Sequence, residues 1–111
     1  TQSLAEALVF TEKNGVDTSL FIQILNSTGY KTTLSEQKGP LMVKSDFRAT
    51  FYLRHMFEDL NLVDETAKDN HIYMPLTEES RSNYLAAVNL GLGEKDFSAI
   101  LELLRKLNGQ M

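Results

Sequence analysis

Residues 97–107 read FSAILELLRKL, and this stretch decides the fold. Phe97, Ile100, Leu101, Leu104 and Leu107 recur at the three- and four-residue spacing that puts side chains on one face of a helix, with charged residues between them. Asn108-Gly109 follows at once, and glycine stops a helix because it enters the left-handed backbone region without a Cβ penalty. The stretch is an amphipathic helix whose apolar face needs a partner.

Outward from it, the same period recurs. Gly91-Leu92-Gly93 closes a preceding helix, for which Thr77 is the expected cap, Glu78 and Glu79 fill the first turn, and Tyr84, Ala87 and Val88 form the inner face. Pro75 is expected to end whatever follows His71. The longest stripe is Leu53, Met56, Phe57, Leu60, Val63 and Ala67, about five turns of helix. Between Tyr30 and Asp46 the periodicity weakens, and Gly39-Pro40 divides a short helix over 33–38 from a further turn through Leu41-Met42-Val43. At the start, Leu4, Ala7 and Leu8 mark a helix that stops at Asn14-Gly15. Asp17 caps the next, built on Leu20, Phe21, Ile24 and Leu25 and ended by residues 26–29. Nothing alternates with period two. The expected fold class is all-α, with residues 1–111 forming a single helical domain of five to six helices.

Composition narrows the functions. A chain of 111 residues, 42% hydrophobic, can bury one continuous core. With 11 basic residues against 15 acidic, it lacks the cationic surplus that phosphate-backbone binding draws on, so no nucleic-acid partner is expected. The absence of cysteine removes disulfides, thiolate zinc sites and cysteine nucleophiles. No apolar run approaches the roughly 18 residues of a membrane span, so no membrane partner is expected and the cytoplasm is the default location. The chain opens at Thr1 and enters a helical pattern within a few residues, which leads us to expect a longer protein upstream.

Self-sufficient chemistry is hard to find. His55 and His71 have no His or Cys partner one helical turn away, so both read as ordinary histidines and no metal site is expected. Glu58-Asp59 and Asp64-Glu65 are adjacent pairs, and neighbours on a helix diverge by about 100° rather than converging on one atom. Gly91-Leu92-Gly93 lacks the third glycine of a dinucleotide loop; Asp96 stands there, and a helix rather than a strand precedes it. No serine lies in a Gly-x-Ser-x-Gly elbow, and no catalytic residue is assigned.

The order of local motifs says more than any one of them. Leu4-Ala5-Glu6-Ala7-Leu8 leads to Lys13-Asn14-Gly15-Val16-Asp17; then come Lys38-Gly39-Pro40-Leu41-Met42, Asp46-Phe47 with Phe51, Glu58-Asp59-Leu60, Met74-Pro75-Leu76-Thr77 and Gly91-Leu92-Gly93-Glu94-Lys95-Asp96-Phe97-Ser98-Ala99. In this order they resemble the C-terminal helical domain of the β-hydroxyacid dehydrogenases, the 3-hydroxyisobutyrate and 6-phosphogluconate dehydrogenase type, over about residues 4 to 105.

The resemblance implies a parent enzyme with an N-terminal Rossmann domain and a long linking helix, using NAD or NADP on a β-hydroxyacid at a site between the domains. In that family the catalytic lysine lies on the linking helix in a Gly-x-x-x-Lys-x-x-Asn pattern. No lysine of this chain stands in one, so the isolated chain is expected to bind no dinucleotide and to be inactive. The implied partners are the Rossmann domain of the same protein and further copies in a homo-oligomer. Phe47 and Phe51, from the family's Asp-Phe-x-Pro-x-Phe stretch, and Glu58 and Asp59, at its Lys-Asp-Leu, are the substrate or cofactor cleft candidates that the resemblance carries over. Two residues depart from the pattern: Ala49 stands for proline and Glu58 for lysine, the second exchanging attraction for repulsion toward an anionic substrate. The competing expectation is a helical interaction or oligomerisation module without chemistry.

Overall fold

The computed structural model describes residues 1–110. Six α-helices follow in order: α1 (Gln2–Lys13), α2 (Thr18–Asn26), α3 (Thr33–Val43), α4 (Leu53–Asp69), α5 (Pro75–Asn89) and α6 (Ile100–Leu107), the last entered through a 3₁₀ turn at Phe97–Ala99. Among the described residues there is no strand, only one isolated antiparallel bridge between Tyr52 and Asp96. The fold is all-α, as the patterning predicts.

The helices pack as α1 on α6, α2 on α3 and α4 on α5, around a core that includes Leu8, Ile22, Met42, Leu53, Tyr84, Ile100 and Leu101. α6 contributes most densely: Ile100, Leu101, Leu103 and Leu104 are all buried, each stabilising by roughly 1.5–3 kcal/mol relative to an exposed side chain. A two-pronged ion pair fastens α6 to α1. Arg105 Nε donates to both Glu12 oxygens at 3.2 Å, and its Nη2 reaches Oε1 at 2.6 Å. Asp17 caps α2 as expected, accepting from Ser19 N–H at 2.9 Å. Among the described residues no helix is long and apolar enough to cross a membrane.

Three local expectations need correction. α3 runs unbroken through Gly39-Pro40, where the sequence predicts a division. A Thr32–Ser35 capping box holds its start, and Gly39 lies so close to α2 that a Cβ there would meet Ile22 Cδ1 at 3.0 Å; tertiary contact overrides poor local propensity. α5 begins at Pro75 rather than after Thr77, because proline's fixed φ suits the first helical position and its missing N–H costs nothing there. On α4, Val63 faces solvent while Asp64 turns inward; the acid is tolerated because Lys68 Nζ, one turn on, meets it at 2.9 Å.

Candidate functional site

Residues 44–52 join α3 to α4 without regular structure, and they carry two of the aromatic candidates. Such a segment must find partners for its backbone elsewhere. It finds them in residues 93–97. Phe47 O accepts from Asp96 N–H at 2.9 Å, Phe51 O accepts from Phe97 N–H at 2.9 Å, and the first two N–H groups of α4, Leu53 and Arg54, donate to the carbonyls of Lys95 at 2.8 Å and Gly93 at 3.1 Å. These last bonds replace a side-chain cap: Tyr52 stands at the cap position of α4 and its side chain bonds no helix N–H.

Asp96 is the knot of this strap, 1% exposed. Its Oδ1 accepts from Thr50 N–H and Thr50 Oγ1–H, both at 3.0 Å. Its Oδ2 accepts from Ser98 N–H at 3.1 Å and from the Ser98 hydroxyl, and stands 3.1 Å from Lys38 Nζ, which crosses from α3. Burial opposes ionisation of Asp96, but the Ser98 hydroxyl, the N–H groups of Thr50 and Ser98, and the Lys38 ammonium outweigh it and hold the carboxyl at about 2. Lys38 also donates to Thr50 Oγ1 at 2.8 Å and lies 5.2 Å from the centre of the Phe97 ring. Below, burial and then the Asp96 charge push the Tyr84 phenol up, so it stays a neutral donor to Phe97 O at 2.8 Å.

The four candidates fall in different environments. Phe47 is 7% exposed and belongs to the core. Phe51 is 37% exposed; its ring meets Phe97 edge-on at 6.3 Å and His55 at 5.9 Å. Glu58 and Asp59 are exposed on α4, three and four residues beyond His55, so all three share one side of the helix. The strap thus presents an aromatic lip, Phe51, Tyr52 and His55, beside two free-standing carboxylates. Arg54 braces the lip from behind, donating to Glu94 at 2.8 Å and lying 5.0 Å over the Tyr52 ring. Sequence reasoning missed the Lys38–Asp96 pair. The Asp96-Phe97-Ser98 pattern, in which an acid accepts from the N–H two residues on, was the local signal for half of it.

Chemically, the lip offers a flat apolar wall and hydrogen-bond acceptors. The opening N–H groups of α4 are spent on residues 93–95, and Gly91 closes α5 in the left-handed conformation (φ 93°) instead of opening a helix. Among the described residues, no three His, Asp or Glu side chains converge to hold a metal ion.

Comparison with known proteins meets this geometry. A family profile described as "NAD-binding of NADP-dependent 3-hydroxyisobutyrate dehydrogenase" matches residues 1–104. Glyoxylate/succinic semialdehyde reductase 1 of Arabidopsis thaliana is 30% identical over 103 residues, covering 93% of this chain and 36% of that protein. Cytokine-like nuclear factor N-PAC of Drosophila pseudoobscura pseudoobscura is 34% identical over 97 residues, 87% of this chain and 16% of its own length. A solved 3-hydroxyisobutyrate dehydrogenase from Salmonella typhimurium superposes with a TM-score of 0.87 at 22% identity, over 92% of this chain and 36% of that one. The chain spans about a third of the length of the reductase it matches. Matched from its first residue to α6, in sequence order and in fold, the chain belongs to the 3-hydroxyisobutyrate dehydrogenase family.

Proposed function

We propose that this chain is the cleft-closing half of an NAD(P)-dependent oxidoreductase of β-hydroxyacids, working with a Rossmann domain of the same protein and within a homo-oligomer. The observation that carries the reading is the exposed aromatic lip of Phe51, Tyr52 and His55, whose backbone Asp96 holds through the N–H groups of Thr50 and Phe51. Phe51 supplies an apolar wall for a flat ring and excludes water from it. Asp59 accepts a hydrogen bond from a substrate hydroxyl. A nicotinamide would supply the hydride acceptor, with Phe51 walling its ring and Asp59 orienting the hydroxyl whose carbon gives the hydride up; its phosphates would be held by polypeptide outside this chain, which on this reading neither binds dinucleotide nor turns over alone.

Glu58 sets the substrate preference. A carboxylate where the resemblance implies a lysine repels an anionic substrate, so Glu58→Lys in the full-length protein should lower KM for carboxylate substrates by about tenfold, a gain of ~1.4 kcal/mol. Hydroxyacid oxidation followed by NADH or NADPH absorbance tests both points. An unchanged KM removes Glu58 from the cleft, and calorimetry showing micromolar dinucleotide binding by the isolated chain would overturn the division of labour. A non-catalytic interaction module is the second reading, favoured by the Glu58 departure; a full-length protein that binds dinucleotide yet oxidises no hydroxyacid would support it.

A further inference from the structure

One buried cation remains unexplained by the fold. Lys38 is 8% exposed, although lysine seldom sits so deep unless it is paired. Its ammonium reaches the lip by two physical routes. Through Asp96 it acts on backbone: Nζ lies 3.1 Å from Oδ2 while Oδ1 receives the N–H groups of Thr50 at 3.0 Å and Phe51 at 3.4 Å. Through the Phe97 ring, 5.2 Å from Nζ, it acts on side chain, because that ring meets the Phe51 ring edge-on at 6.3 Å.

We propose that Lys38 is a positioning residue for the cleft: its buried ammonium, bound to Asp96 and Thr50, fixes the backbone of residues 47–53 and the Phe51 ring, and thereby sets affinity for the substrate and nicotinamide. The donors to Asp96 other than Lys38 are neutral, and a buried carboxylate left with neutral donors alone draws in water or a proton to offset lost solvation. Either intruder arrives at Oδ2, the oxygen Lys38 leaves, and turns the carboxylate whose Oδ1 holds Thr50 and Phe51. The helices would keep their apolar core and the Arg105–Glu12 pair. The irregular strap, whose place depends on this carboxylate, would loosen. The proposal rests on the reading of this face as a substrate cleft, and its test separates the two.

The variants are Lys38→Met, which keeps the unbranched apolar stem and removes the ammonium, and the pair Lys38→Met with Asp96→Asn, which removes both charges and serves if the single variant collapses. Both are made in the full-length protein. Amide exchange followed by mass spectrometry should rise in segments covering residues 47–53 and 96–98, with α1, α2 and the C-terminal half of α4 unchanged. KM for hydroxyacid should rise by about tenfold with kcat altered less than about threefold, the pattern of lost ground-state positioning. Exchange raised evenly through all six helices, or a strap as protected as in the wild type, overturns the proposal. If the wild-type protein oxidises no hydroxyacid, the functional reading fails, and the exchange experiment alone decides whether Lys38 fixes the strap.

Discussion

Among the described residues two carboxylate side chains are buried, Asp64 at 5% exposure and Asp96 at 1%, and they hold different kinds of structure. Asp64 lies within α4, paired to Lys68 at 2.9 Å and more loosely to Arg81 of α5 at 3.9 Å; Lys68 remains largely in water. It joins two helices whose positions apolar packing has already set, around Tyr84, Ala87 and Leu53. Asp96 serves a segment with no ladder or helix of its own, and takes donors from α3, the 44–52 strap and the 3₁₀ turn. A charge buried beside regular structure is an accessory, whereas the same charge beside irregular backbone is what gives that backbone a place.

The sharpest way to break this contrast is truncation of the acid. Asp96→Ala should cost about 3–5 kcal/mol in chemical denaturation, since Lys38 is left charged and unpaired in the interior. Acid titration should sharpen it. The carboxyl of Asp96 is held near 2, below its ordinary value of 3.8, so its contribution of about 2 kcal/mol is complete above pH 4 and fades as pH falls toward 2. Urea midpoints should drop through that window in the wild type and flatten there in Asp96→Asn. The smallest effect is expected from Asp64→Ala, about 1 kcal/mol in the same assay, because Lys68 is solvated and Arg81 keeps its 2.7 Å bond to Asn61. Equal costs for the two truncations would remove the distinction.

What the sequence disclosed and what it hid follow the same line. α6 was legible because its period is a property of neighbours in the chain, except that Leu107 at its end is exposed and Leu103 is buried instead; the Asp17 cap, a bond spanning two residues, was legible too. Val63 was misplaced because helical period alone does not see that a lysine four residues away lets Asp64 turn inward. Thr77 looked like a cap because threonine often is one, yet proline at the first helical position outranks it. For the site, Phe51, Glu58 and Asp59 came from motif resemblance and lie at the surface, while Phe47 is interior. The Lys38–Asp96 junction was invisible for a physical reason: its partners are brought together by the packing of α3 against the 3₁₀ turn, and no local pattern encodes that meeting.

The close approach of Gly39 to Ile22 makes α3 conditional on its neighbour. Residues 33–43 contain a glycine and a proline in mid-helix, so an isolated peptide of this stretch gains too little from hydrogen bonding to repay the entropy of coiling. α3 therefore depends on α2 for its helicity, and Lys38, immediately before that glycine, reaches its acid only because the two helices are packed together.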